Sequence, residues 1–169
     1  MGNKSLILWK LDTETPSLKC ASFVYDDTGS YYFVGSGGGS GGYGLSIKSD
    51  VKIKPQYLIG LLNSKLLDFM VKKTSTRFSG GFFAYNKQYI GALPIILPVG
   101  KNREQMANQI TDLVEKISTI KNRINENDSF RGELAESETN LYEEKIDQLV
   151  YKLYGITEEE KKVIEESLT

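Results

Sequence analysis

The sequence contains no histidine and only one cysteine, Cys20, among its 169 residues. Zinc sites of the common kinds need several Cys or His ligands, and the usual serine and cysteine hydrolases need a histidine base. Both kinds of site are therefore excluded. A lone cysteine cannot form an internal disulfide, so the sequence predicts a protein of the reducing cytoplasm.

Long apolar runs are also missing. No stretch approaches the roughly 20 apolar residues of a membrane-spanning helix, and the first ten residues lack the pattern of a signal peptide. Hydrophobic residues make up 40% of the chain and charged residues 25%, which is ordinary for a globular protein. A chain of this length buries roughly 70% of its unfolded surface, so it can form a core without metal or disulfide.

The net charge of −1 is unevenly distributed along the chain. Residues 1–100 contain 11 Lys and Arg against 6 Asp and Glu, whereas residues 101–169 contain 10 against 16. The first part therefore carries +5 and the second −6. A basic region can bind phosphates and an acidic region repels them, so we expect the two parts to have different partners. We predict an α+β domain over 1–100 and a helical region over 101–169.

Alternating and aromatic runs in the first part predict β-strands. A turn signal at residues 27–30 makes a hairpin of the runs on either side of it. Pro94 places the last strand at a sheet edge or limits it to its first residues. The predicted strands cover residues 5–11, 18–26, 31–34, 45–53 and 91–98.

A Gly-rich run occupies residues 35–44, between two predicted strands. A phosphate-binding loop is disfavoured here, because no Lys-Ser or Lys-Thr and no helix follows. Two interpretations remain open, a flexible linker and a loop whose bare backbone lies against a partner.

Apolar residues at helical spacing predict one buried helix from Gln56 to Lys73, with Pro55 in its first turn. In the second part, apolar residues separated alternately by four and three positions predict a long helix from Arg103 to Ile124. A second long helix is predicted from Glu133 to Tyr154, antiparallel to the first because the connection is short. Gly155 suits a helix C-cap, and a capping box from Thr157 to Glu160 opens a last short helix.

Together these elements predict an α+β fold. It consists of a small twisted, mostly antiparallel sheet with one buried helix, followed by a C-terminal antiparallel helical pair and a short last helix.

Residues 72–88 combine cations, hydroxyls, aromatic rings and amides around a Gly-Gly pair. Arg and Lys bind phosphate or guanine, Asn and Gln pair with adenine, and aromatic rings stack on bases. Each residue taken singly is also typical of ordinary surface or core, and it is the cluster that favours contact with DNA. The candidates for phosphate binding are Lys72, Lys73, Arg77 and Lys87. The candidates for base reading are Arg77, Tyr85, Asn86, Gln88 and the loop around Tyr43, with the Ser79 hydroxyl beside them.

The segment LIGLLNSKLLDFMVKKTSTRFSGGFFAYNKQYIGALPI resembles the TaqI-like C-terminal specificity domain, the target-recognition part of adenine-specific DNA methyltransferases and combined restriction-modification enzymes. The helix motif, the basic turn before Gly-Gly, the Y-x-K-Q-Y motif and the closing Leu-Pro-Ile carry this resemblance. The tail IDQLVYKLYGITEEE is similar to the ending of such enzymes. The matching segments are Leu58–Ser64, Lys72–Gly81, Tyr85–Tyr89, Leu93–Ile95 and Ile146–Glu160, and the resemblance extends over residues 30–165.

The resemblance implies a module that binds duplex DNA, reads a short sequence and presents it to a methyltransferase core that flips the target adenine. The implied partners are double-stranded DNA and the methyltransferase or endonuclease core of a parent enzyme. S-adenosylmethionine is the cofactor expected for that parent enzyme, and none is expected in this chain. Tyr85, Lys87 and Gln88 belong to the family pattern, so a structural role for them stays open. In that case part of the base specificity lies in residues 18–34 or 45–54.

We predict no catalytic site in this chain. It contains neither an Asn-Pro-Pro-Tyr motif nor a Gly motif for the methyl donor. Two alternatives to the recognition module remain. One is half of a type I specificity subunit, whose helices contact methyltransferase subunits, and the other is a protein-interaction module built on the helical pair.

Overall fold

The computed structural model describes residues 6–11, 21–26, 43–77, 83–123 and 129–168. These ranges contain three strands and six helices, consistent with the α+β class. The strands are β1 (Leu6–Leu11), β2 (Ala21–Asp26) and β3 (Tyr43–Ser46). The helices are α1 (Pro55–Leu62), α2 (Lys65–Thr74), α3 (Lys87–Ile90), α4 (Lys101–Arg123), α5 (Ser129–Tyr154) and α6 (Glu158–Leu168). Within the same ranges, none of the helices has the length and apolar character needed to cross a membrane.

The three strands form one antiparallel sheet with the order β2-β1-β3. The central strand β1 places Leu6 opposite Asp26 on one side and opposite Ser46 on the other. In β2 the buried Phe23 alternates with exposed neighbours, so one face of this strand packs against α1. The strand predicted at residues 31–34, and with it the predicted hairpin, lies outside the described residues.

The single helix predicted from Gln56 to Lys73 is wrong, because the structure has two helices there. Asn63 ends α1, and Ser64 begins α2 by accepting a hydrogen bond from the backbone N–H of Leu67. The Ser64 hydroxyl also donates to the Leu61 carbonyl at 2.6 Å. Ser64 is thus the N-cap of α2. The apolar spacing continues across it, so the pattern alone does not show that one helix ends and another begins here.

The strand predicted at residues 91–98 is also wrong, since this segment is irregular apart from a turn after α3. Pro94 and Pro98 have no backbone N–H to donate to a sheet. Two tyrosine hydroxyls hold the segment instead, with Tyr57 donating to the Ile96 carbonyl at 2.7 Å and Tyr154 to the Pro94 carbonyl at 2.6 Å. Burial raises the pKa of Tyr57 to about 12, so its hydroxyl remains a donor at neutral pH.

The helical pair of the second part is formed by α4 and α5, as predicted. The helices are antiparallel. Lys116 of α4 lies over the ring of Tyr142 of α5, while Ile110, earlier in α4, and Ile146, later in α5, meet near Gly60. Gly155 ends α5 with a φ of +70°, a conformation that favours glycine. Thr157 and Glu160 exchange the two hydrogen bonds of a capping box at the start of α6.

The buried core draws on both parts of the chain. Tyr57, Leu61 and Leu67 from α1 and α2 share one apolar cluster with Ile110 of α4 and Val150 of α5. The helical pair therefore forms part of the core that supports the first part. The division into two domains at residue 100 stays a prediction.

Candidate nucleic-acid interface

The predicted DNA-contacting residues lie where α2 ends and the chain turns back towards α3. Thr76 and Arg77 follow α2, and Arg77 forms an antiparallel bridge with Phe83. The backbone N–H of Ala84 donates to the Thr76 carbonyl at 3.0 Å. The hydroxyls of Thr76 and Tyr89 are 2.8 Å apart. Residues 83–90 are thereby held against the C-terminal end of α2.

Three cations and an amide of this region are exposed to solvent, and they are Lys73, Arg77, Lys87 and Gln88. The Lys73 ammonium lies 5.2 Å from the centre of the Phe69 ring, and the Arg77 guanidinium lies 5.8 Å from that of Phe83. Such contacts are weak at exposed sites, so they leave both charges available to a phosphate.

Two further candidates are engaged inside the protein. Tyr85 is buried, with only 4% of its surface exposed, and its hydroxyl donates to the carboxylate of Asp68. The Lys72 ammonium lies 2.8 Å from the other oxygen of the same carboxylate. The structure therefore places these two side chains together on Asp68 and apart from the exposed cations.

Asn86 lies between the buried and the exposed candidates. Its side-chain oxygen accepts from the backbone N–H of Gln88 at 3.0 Å and caps α3. Its amide nitrogen takes no part in this cap. An open depression along α3 is lined by Asn86, Lys87, Gln88, Gly91 and Ala92.

The side chains of two candidates lie outside the described part of the structure. Tyr43 begins β3, but its side chain is outside the description, and Ser79 falls in residues 78–82, which are also outside it. Both remain predictions.

A large cleft that includes part of α2 in its lining has the opposite net charge. It lies between β2, α1, α2 and the helical pair. Its charged lining, within the described ranges, comprises seven acids against three lysines, and one of these lysines is Lys72. The acids are Asp26, Asp68, Glu115, Glu136, Glu143, Glu144 and Asp147. Such a surface repels DNA phosphates, in contrast to the exposed cations at the end of α2.

The sequence analysis missed Asp68, which contacts Tyr85 and Lys72, and Asn63, which joins α1 to β2. The Asn63 amide bonds both main-chain groups of Phe23, accepting at 2.8 Å and donating at 2.9 Å, and so joins the end of α1 to β2. Nothing local in the sequence indicates this long-range contact. Asp68 precedes Lys72 by four residues in a helix, a spacing that does indicate an ion pair.

A comparison with protein families matches residues 15–95 to one family. This segment matches the TaqI-like C-terminal specificity domain. The resemblance inferred from the central motifs is thereby confirmed. The matched segment contains α1, α2, α3 and the exposed cations, whereas α4 to α6 and the similar tail at residues 146–160 lie beyond it.

One curated relative supports the same assignment. A protein of Methanocaldococcus jannaschii, described as a "putative type II restriction enzyme and methyltransferase", is 29% identical over 113 residues. The matched region is 66% of this chain but 8% of the relative, so the chain spans a small part of that protein. No solved structure matches the chain.

Proposed function

We propose that this chain is the sequence-specific DNA-recognition module of a restriction-modification enzyme that methylates adenine. The match to a specificity domain and the restriction-modification relative support a target-recognition role. The observation that carries the proposal is the group of exposed cations, Lys73, Arg77 and Lys87, within the matched segment. The proposed partners are double-stranded DNA and the catalytic core of the parent enzyme. The methyl donor belongs to that core, and no step proposed for this chain uses it.

The exposed cations dock the module on the DNA backbone. Each Lys or Arg that neutralises a phosphate releases counterions, which provides affinity without reading sequence. The acidic cleft and the acidic second part of the chain restrict the orientation, because they are repelled by the same phosphates. The module therefore approaches DNA with the end of α2 and the start of α3.

Base reading then falls to the polar groups beside these cations. Gln88 and the amide nitrogen of Asn86 lie at the start of α3, next to Lys87. Amide side chains suit adenine, and the Arg77 guanidinium suits guanine. Ser79 in the adjoining loop and Tyr43 at the start of β3 complete the proposed reading groups. Adenine as the methylated base is part of this proposal.

The salt dependence of binding tests the proposed surface. We expect the full chain to bind a mixed-sequence duplex of about 20 base pairs with an affinity that falls steeply as salt rises. Arg77→Gln and Lys87→Gln should each reduce the slope of log K against log salt by about 0.9, because each removes one phosphate contact. Fluorescence anisotropy with a labelled duplex at several salt concentrations measures this slope.

Lys145→Gln is the matched control. Lys145 is exposed on α5 beside Glu143 and Glu144, so its loss should leave the slope unchanged. Equal slopes for the wild type, Arg77→Gln and Lys145→Gln would show that the proposed surface does not contact phosphates.

A further inference from the structure

The carboxylate of Asp68 connects two of the candidate residues, Tyr85 and Lys72. Asp68 lies in the first turn of α2, and one of its oxygens accepts the Tyr85 hydroxyl. Its other oxygen lies 2.8 Å from the Lys72 ammonium. The two charged side chains are only 17% and 18% exposed, so both are largely removed from water. Removing either partner leaves a poorly solvated charge, which favours keeping the pair closed.

The bond to Tyr85 fixes the segment that presents the proposed reading groups. Tyr85 lies directly before Asn86 and two residues before Lys87. With its ring buried, it cannot stack on a base in this conformation. Its hydroxyl attaches the start of the segment to the first turn of α2, while Thr76 bonds to Ala84 and Tyr89 at the other end of α2. Residues 83–90 are therefore held at both ends of one helix.

We infer that Asp68 is a positioning residue for DNA recognition, which acts through Tyr85 to hold residues 83–90 and through the ion pair to withhold Lys72 from DNA. This inference rests on the proposed function. It moves Tyr85 from the residues that contact DNA to those that hold the reading segment in place. It also removes Lys72 from the residues that contact phosphate. Discrimination between sequences depends on the geometry of Asn86 and Gln88, so it depends on Asp68, whereas the number of phosphate contacts does not.

Two substitutions separate positioning from DNA contact. Tyr85→Phe removes the hydroxyl and keeps the buried ring and the Asp68–Lys72 pair. We expect it to reduce the preference for the best sequence by about tenfold, the equivalent of one hydrogen bond to a charged group. Its salt slope should equal that of the wild type. Lys72→Met should also leave the slope unchanged, unlike Arg77→Gln.

Conservative replacement of the carboxylate gives a rescue test. Asp68→Asn retains an oxygen that can accept the Tyr85 hydroxyl, whereas Asp68→Ala does not. We expect Asp68→Ala to lose discrimination as Tyr85→Phe does, and Asp68→Asn to retain most of it. A residue needed only for folding would lower specific and non-specific affinity together and leave their ratio unchanged.

The matched control is Tyr154→Phe. It removes the hydroxyl of another tyrosine, which is partly buried and bonded to the Pro94 carbonyl, outside residues 83–90. Discrimination is measured by selecting bound duplexes from a randomised pool with the full chain and comparing the enrichment of the best motif. Tyr154→Phe should match the wild type in enrichment.

The outcomes distinguish this inference from the proposed function. If the wild type neither binds the mixed duplex nor enriches a motif, the recognition function itself fails. If the wild type does both, and Tyr85→Phe enriches the motif as strongly as Tyr154→Phe, the positioning role of Asp68 is refuted. A loss of about 0.9 in the salt slope of Lys72→Met would likewise refute the withholding of Lys72.

Discussion

Gly60 lies where α1 packs tightly against α4. A Cβ atom at this position would lie 2.4 Å from Cγ2 of Ile110 and 3.2 Å from Cγ2 of Val114. Both neighbours are buried side chains of α4, with little room to move. The glycine in the Leu58–Ser64 motif is therefore explained by packing, because it allows α1 to lie close to α4.

Gly60→Ala should lower the free energy of unfolding by about 1–3 kcal/mol, because the added methyl group overpacks this contact. Gly132→Ala in α5 is the matched control, since a Cβ atom there meets nothing within 4 Å. Alanine is the better helix former, so the control should gain up to about 1 kcal/mol. Denaturant unfolding of the two variants measures the difference, and a Gly60→Ala variant as stable as the wild type would contradict the packing.

At the level of the elements, the N-terminus of α2 is bonded to Asp147, a buried acid of α5. The Asp147 carboxylate accepts from the backbone N–H of Lys65 at 2.9 Å and lies 3.6 Å from the Lys65 ammonium. A negative charge suits the N-terminus of a helix, but burial outweighs this and raises the pKa of Asp147 from 3.8 to about 6. Glu143, on the preceding turn of α5, adds to the rise.

The raised pKa predicts a pH dependence of stability. An acid whose pKa rises on folding stabilises the fold below its unfolded pKa and loses that contribution as pH rises through the folded value. Between pH values of about 4 and 6, the wild type should therefore lose roughly 2–3 kcal/mol of unfolding free energy relative to Asp147→Asn. Asparagine keeps an acceptor for the Lys65 N–H. Denaturant titrations of both proteins across this range measure the difference, and a constant difference would show that Asp147 does not titrate there.

The helices show what the sequence can predict and where it fails. Periodicity and caps predicted α4, α5 and the start of α6 to within a few residues, because their signals are local. These signals are apolar spacing, Gly155 at the end of α5 and the capping box at Thr157. The break between α1 and α2 was missed, since Ser64 interrupts the backbone without interrupting the apolar pattern. Residues 91–98 looked like a strand because extended, apolar, proline-containing chain has the same composition whether it pairs in a sheet or is held by tyrosines.

Residues 72–88 stay a prediction as the DNA-contacting stretch, and the matched segment includes them. The roles of single residues in this stretch could not be predicted from composition. Whether Tyr85 points inward depends on Asp68, 17 residues earlier, which only the folded arrangement brings near. Lys72 and Lys73 are adjacent in sequence, yet the first pairs with Asp68 and the second is exposed.

At the scale of the whole molecule, charge is separated between the exposed cations at the end of α2 and the acidic cleft beside the helical pair. This separation is consistent with the proposed function, in which the exposed cations meet DNA. Leu134 and Leu141, seven residues apart on α5, are 57% and 54% exposed and lie on one helix face. That face is the feature on which the protein-interaction alternative rests.

Selection from a randomised duplex pool by the wild-type chain tests the central claim most directly. The proposed function predicts that successive rounds enrich one short motif. Scrambling the motif should weaken binding, while an increase in salt should weaken binding to both duplexes. Recovery of a pool with no enriched motif, at salt concentrations where the chain still binds duplex, would contradict sequence recognition.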